Sequence, residues 1–344
     1  MDLAAIESTK ALEMQHIHLI DTSVASDNVG DEIIVSEARA HIDTIFRDAY
    51  VSTSSGHDGL GHYSRSLVAT ADLVFLLGTN ALSAKYQMRG NFIWNVARKD
   101  IPILAGKVIL FGVGANRDFD QISWRQARLL RRLLSSSHKH AVRDQTGYRL
   151  LESCGIAAIN TSCPTLWRYA SNLTVLPTRP STNVCFTLTK HKRHNSDISM
   201  IDALRRVYKT VFFWPQQPRD LDYLKEITST DDITIVAPNL AAYDDLLGNQ
   251  SMDVVGTRLH GCIRGLKHGQ RVLVVAIDNR ARDIGRETNL PTISREHVAE
   301  HLEQVLLADS AITLNVSAQP IRDYLSQFSP HLSAGYDEAP FLGP

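Results

Sequence analysis

Residues 254–278 read Val254-Val-Gly-Thr-Arg-Leu-His-Gly-Cys-Ile-Arg-Gly-Leu-Lys-His-Gly-Gln-Arg-Val-Leu-Val-Val-Ala-Ile-Asp278. A short β-branched run stops at Gly256, a helical stretch follows Arg258, and a second apolar β-branched run fills 272–277. Runs of this kind suit strands buried on both faces. Strand, helix and strand in succession imply a parallel pair joined by a crossover helix.

The same alternation extends outward over most of the chain. Further strands are expected at 16–20, 73–77, 108–113, 141–143, 184–188, 211–214 and 233–236. Helical periodicity appears at 125–134, where Leu129, Leu130, Leu133 and Leu134 share a face, and at 146–154, which ends at Gly155. It recurs at 198–208, 221–227 and 297–307. The expected class is therefore α/β, with two Rossmann-like domains built on parallel sheets. The stretch 176–183 carries two prolines and no periodicity, which predicts a linker. It divides the chain into 1–175 and 183–320, with 321–344 as a C-terminal segment free to pack back on the first domain.

Composition narrows the function. The chain has 344 residues, 44% hydrophobic, with 36 Lys+Arg against 37 Asp+Glu. It is too apolar to stay disordered and lacks the basic excess of a nucleic-acid binder. Residues 1–13 carry Asp2, Glu7 and Glu13 and have no apolar core, so no signal peptide is expected. The most apolar stretch, 101–113, is broken by Pro102 and Lys107, so no transmembrane span is expected and a cytoplasmic location follows. Cys154, Cys163, Cys185 and Cys262 are too scattered for a zinc site or a disulfide framework and read as small buried hydrophobes.

Open parallel sheets bind ligands beyond the carboxyl ends of their strands, beside helix N-termini that attract anions. Four such junctions carry chemistry. After the first strand, Asp21-Thr-Ser-Val-Ala-Ser-Asp-Asn-Val-Gly-Asp-Glu32 reads as a tight turn into a helix favoured by Asp31 or Glu32. Gly112-Val-Gly-Ala-Asn-Arg117 begins like a dinucleotide fingerprint but lacks the third glycine, so close backbone access fits it better than NAD. The Gly78-Thr-Asn80 turn resembles it and suggests a shared cleft wall. Val142-Arg143-Asp144 opens a helix that Asp144 can cap, leaving Arg143 for an anion; as a solvent-exposed pair the two would contribute little.

The fourth junction is the opening stretch itself. Seven Lys/Arg face two Asp between Arg258 and Arg286, a local excess of five in a nearly neutral chain. Arg258 and His260, two apart at a helix start, suit an anion together with proton transfer; the competing reading is a solvated basic face. Lys190-His-Lys-Arg-His194 reads as a solvated loop, and His191 and His194 lack a carboxylate or cysteine that would complete a metal site. No metal and no cofactor are expected.

At these residues the chain resembles the polysaccharide pyruvyl transferase family. The resemblance rests on Asn28-Val-Gly-Asp-Glu32, Gly78-Thr-Asn80, Val142-Arg-Asp144 with Cys154-Gly-Ile156, Phe212-Phe-Trp-Pro-Gln216 and Arg258-Leu-His-Gly261 with Asp278. The chain departs from it at Gly-Val-Gly-Ala-Asn, where many members have another glycine, and at Arg280 and Arg282, where lysine is common. The resemblance implies a glycosyltransferase-B-like arrangement with an interdomain cleft. It implies phosphoenolpyruvate as donor co-substrate and a saccharide of a cell-surface glycan as acceptor, lipid-linked forms included. Peripheral membrane association is compatible with such an acceptor. His260 is then the acid/base candidate, and Arg258 and Arg143 form an anion clamp from facing domains. Gly261, Arg280 and Arg282 complete the donor side, while Asn28, Asp31 and Asn80 stand on the acceptor side. Alternatives from other classes are a nucleotide-sugar glycosyltransferase, for which Glu287 is the nearest ribose-binding carboxylate, and a non-catalytic glycan- or nucleotide-binding protein.

Overall fold

The computed structural model describes residues 14–88, 92–170, 180–309 and 313–328. The expected readings at 1–13, 176–179 and 329–344 lie outside the described residues.

Two parallel sheets carry the architecture. The first contains β1 (His16–Asp21), β2 (Tyr50–Ser55), β3 (Leu73–Leu77) and β4 (Val108–Phe111) in the order β2-β1-β3-β4. Its edge continues into a two-stranded parallel pair, β5 (His140–Val142) and β6 (Ala158–Asn160), through a bridge between Val113 and Val142. The second sheet contains β7 (Asn183–Thr187), β8 (Thr210–Phe213), β9 (Ile233–Ile235), β10 (Asp253–Gly256), β11 (Arg271–Ala276) and β12 (Thr292–Ser294). Its order is β12-β11-β10-β7-β8-β9. Helices lie between successive strands, as crossover connections of parallel strands require.

Both sheets reverse direction internally. In the second, the chain builds outward from β7 to β9 and then restarts at β10 on the other side of β7. In the first, β2 and β3 lie on opposite sides of β1. Each reversal leaves a crevice at the strand ends, since the connecting loops part to either side there.

Three strands escape the apolar pattern. β6 and β12 have three residues each, too short to show a period. β2 reads Tyr-Val-Ser-Thr-Ser-Ser because its inward serines hold histidines rather than aliphatic side chains. Ser52 Oγ lies 2.8 Å from both His16 Nε2 and His18 Nδ1, and Ser54 Oγ lies 2.9 Å from His18 Nε2.

The helix Ala318–Leu325 returns to the first sheet. Tyr324 donates its hydroxyl to the Leu110 carbonyl at 2.8 Å, and Phe328 packs on Phe75 with ring centroids 5.2 Å apart. Among the described residues no helix is long and apolar enough to cross a membrane. All four cysteines are buried and unpaired.

His140 bridges the gap between β4 and β5. Its Nδ1 accepts from the Leu110 amide at 3.2 Å, and its Nε2 lies 3.1 Å from the Ser135 carbonyl. Burial lowers both His18 and His140 to about 4. Each is therefore neutral when folded, while the unfolded chain protonates near pH 6.5. Their contribution is complete above pH 6.5 and is lost as pH falls toward 4. Urea denaturation should show stability falling across that window, with a shallower slope in His140→Gln; an unchanged slope would contradict the neutral, buried assignment.

Candidate functional site

The two crevices face each other across a cleft of about 200 Å³. Thr79 and Asn80 after β3 line it from the first sheet, and Thr189 after β7 with Thr257 after β10 from the second. Three helices begin at its wall. Asn28 caps Val29–Ile45, Arg258 precedes Leu259–Lys267, and Asp278 caps Asn279–Thr288. The positive ends of three helix dipoles therefore border the space where an anion would sit.

Arg143 follows β5 and is only 1% exposed. Gly114 creates its space. A Cβ there would come within 2.7 Å of Arg143 Nε and 2.4 Å of Asp144 Oδ2, so any side chain would collide with both. Arg143 Nη2 donates to Asn80 Oδ1, while Nη1, equally buried, has no hydrogen-bond partner. Asp144 caps Gln145–Ser153 through Oδ1, which accepts from the Gly147 amide at 2.6 Å; its Oδ2 has no partner. Burial raises the Asp144 carboxyl, against the pull of Arg143. Asp144 caps its helix as expected, and both residues are inside rather than at the surface, because the glycine loop and the Asn80 turn cover them.

The second sheet's arginines are already partnered. Arg258 donates from Nε to Asp220 at 2.9 Å and to the Leu188 carbonyl at 3.0 Å, and from Nη2 to Asp220 at 2.5 Å and to Gln217. It is a fixed charge in the cleft wall. Arg280 folds back on Asp278 at 2.6 Å. His260, on the first turn of its helix, lies with Nε2 3.6 Å from Cys163 Sγ, a contact that crosses between the two halves. Burial, with Arg143 and Arg280 adding to it, pushes His260 well below the ordinary imidazole range, so it is neutral in the free site.

Other expectations need correction. The excess of positive charge within 258–286 does not form one basic pocket. Arg264 and Lys267 reach Glu37, Arg264 also pairs with Asp244, and Arg271 pairs with Asp253. Of that run, Arg258 and Arg280 line the cleft. Arg282 lines a different cavity with Arg286 and Thr292, because it projects from another face of its helix. Gly261 lies behind the wall, where its missing side chain admits Trp214 and Gln216. Asn28 Oδ1 is occupied, accepting from the Gly30 amide at 3.2 Å and from Gln216 Nε2 at 2.7 Å. Asp31 is buried and accepts from Ser26 at 2.7 Å and Thr79 at 3.1 Å; burial raises its carboxyl. Glu287 meets Asn160 at 3.4 Å, across from the first half. His191 lines the cleft, so the 190–194 run is not wholly solvated; Lys190 and Arg193 pair with Glu226.

Sequence reading did not single out Thr189 or the Asp220 that holds Arg258, and took His191 as part of a solvated loop. Gln216, at the end of Phe212-Phe-Trp-Pro-Gln216, was quoted only as part of a motif. Asp220 carries no local signal, since its carboxylate faces an arginine thirty-eight positions away. The two arginine pairs differ in consequence. Asp220→Ala strands a buried guanidinium and should cost about 3–5 kcal/mol of stability. Asp278→Ala loses a helix cap and a partly exposed pair and should cost about 1–2 kcal/mol. Urea unfolding of both variants measures the difference, and equal losses would contradict the buried pairing.

Comparison with known proteins places this geometry. The fold resembles UDP-GlcNAc 2-epimerase of Methanocaldococcus jannaschii, solved with UDP-GlcNAc and UDP. Identity is 13%, coverage 94% of this chain and 99% of the other, and the TM-score 0.51. It also resembles a Listeria monocytogenes protein assigned as a UDP-N-acetylglucosamine 2-epimerase, at 9% identity, 96% and 98% coverage and a TM-score of 0.51. A glycosyltransferase of avilamycin A biosynthesis, AviGT4, matches at 11% identity, 94% and 96% coverage and a TM-score of 0.45. The two epimerase likenesses place the chain in the glycosyltransferase-B-like fold. No curated protein matches the sequence. The family model described as polysaccharide pyruvyl transferase matches residues 28–279. That span begins at the helix cap Asn28 and runs through the Arg258-Leu-His-Gly261 signature to Asn279. The chain belongs to the polysaccharide pyruvyl transferase family.

Proposed function

We propose that the protein transfers the pyruvyl group of phosphoenolpyruvate to two hydroxyls of a sugar in a cell-surface glycan or its precursor. The products are a cyclic pyruvate ketal and phosphate. The observation that carries this reading is Arg143: a buried guanidinium whose Nη1 lacks a partner, beside a small cleft that Arg258, His260 and Arg280 also line. A compact ligand with anionic groups at both ends answers that arrangement.

Ketal formation moves two protons. One hydroxyl adds to the enol carbon as the methylene carbon takes a proton and becomes a methyl group. The carbon–oxygen bond to phosphate then breaks, and the second hydroxyl closes the ketal on the same carbon. Of the two hydroxyl protons, one balances the new methyl hydrogen and the other leaves with phosphate. His260 is the group proposed to move them. Arg143 holds the donor carboxylate, while Arg258 and Arg280 face the phosphate as positioned charges. Asp31 and Asn80 stand on the first-sheet side and orient the acceptor hydroxyls.

His260 begins neutral, yet the methylene carbon requires an acid. Burial is the larger cause of that neutrality, and donor binding acts on the remainder: an anion between Arg143 and Arg280 offsets the two charges that also repel a proton from His260. Titration calorimetry in buffers of different ionisation enthalpy, at pH near 6.5, should therefore show proton uptake when phosphoenolpyruvate binds. The part due to His260 should vanish in His260→Gln; equal uptake in both proteins would remove His260 from the proton path. Mixing the enzyme with phosphoenolpyruvate and a galactoside, mannoside or N-acetylhexosamine acceptor should release phosphate. His260→Ala should abolish turnover without loss of fold, and a fully active variant would end its proposed role.

A further inference from the structure

Beside the cleft, on the first-sheet side, a larger cavity of about 750 Å³ opens between two loops. Ile93 lines both spaces, so they share a wall. One loop continues from the Thr79-Asn80 turn and the other from Gly114. They are tied together, as Asn116 donates its amide to the Leu82 carbonyl at 2.9 Å and Ser123 donates to Ala84 at 2.9 Å. The groove is thus built on backbone that also positions Asn80 and Arg143.

Its lining indicates the chemistry of its occupant. Phe92 and Phe119 supply aromatic surface, and Asn116 supplies an amide. Lys85 and Arg117 are balanced by Asp118 and Asp120, so the groove carries no net charge. A diphosphate or another polyanion would find no net attraction there, since Asp118 and Asp120 offset Lys85 and Arg117. Rings combined with carboxylates and amides match a neutral saccharide, whose C–H faces pack on aromatic surface while its hydroxyls donate and accept hydrogen bonds. The volume is within the range of about 300–1,000 Å³ common for ligand sites and exceeds the roughly 200 Å³ of the cleft.

We infer that this groove binds the part of the acceptor glycan beyond the sugar that receives the pyruvyl group, and so selects for an extended neutral oligosaccharide. The inference rests on the pyruvyl-transfer reading for what occupies the cleft, but binding in the groove can be measured without donor. The probes are neutral tetrasaccharides of galactan, mannan and chitin type, titrated calorimetrically beside the corresponding methyl glycosides. At least one tetrasaccharide should bind about ten-fold tighter than its methyl glycoside, which corresponds to about 1.4 kcal/mol. Phe119→Ala and Asn116→Ala should remove that advantage and leave phosphoenolpyruvate affinity unchanged. Asn116 is exposed, so its variant keeps the test valid should Phe119→Ala unfold. Tetrasaccharides that bind no tighter than methyl glycosides, or variants that keep the advantage, would overturn the groove assignment. If wild type releases no phosphate from phosphoenolpyruvate with any of these acceptors, the transfer reading fails while the titrations still decide the groove.

Discussion

Arg143 is a cation that the fold encloses without fully pairing. Taking a guanidinium out of water costs several kcal/mol unless its donors are met. Here Asn80 answers Nη2, and Nη1 is left without a hydrogen-bond partner. Keeping the side chain there requires a glycine at 114, a turn that delivers Asn80 and a strand end that aims Arg143 inward. The loops after β3, β4 and β5 are thereby committed to one place. An anion in the cleft would answer the Nη1 nitrogen that the protein leaves without a hydrogen bond.

The opposite wall obeys a different rule. Arg258 is held by Asp220, Gln217 and a carbonyl before any ligand arrives. Its charge is spatially fixed, and little reorganisation is required at the moment of reaction. Between the two walls His260 is kept neutral by burial and by neighbouring cations. The cleft thus sets an ion-paired arginine, a partly unpaired one and a neutral imidazole side by side. Contacts across the cleft, including Val29 N to Gln216 O at 3.0 Å and Cys163 to His260, keep these groups in register.

The sheets were legible because buried strands advertise themselves as β-branched runs, and the α/β class followed from their alternation with helices. β2 was not, since its inward face is serine matched to histidine. The strand-end loops with Asn28, Asn80, Arg143, Arg258 and His260 could be read from sequence, because a parallel sheet dictates where loops gather. The charge pattern misled. Counting along 258–286 ignores Glu37, Asp244 and Asp253, which come from other elements and hold Arg264, Lys267 and Arg271 away from the cleft. Arg282 was misplaced for a related reason: two residues along a helix turn a side chain to another face. The burial of Arg143 was equally hidden, because it depends on an absent Cβ on a different loop.

The proposed reaction moves a three-carbon unit from phosphoenolpyruvate to a glycan. The most direct test uses phosphoenolpyruvate isotopically labelled at its enol carbon, incubated with the enzyme and an oligosaccharide acceptor, with the glycan then examined by NMR. Pyruvyl transfer puts the label in a quaternary ketal carbon bonded to two sugar oxygens, formed in equal amount with released phosphate. Label absent from the glycan, or a glycan extended only when a nucleotide sugar is supplied, would contradict it.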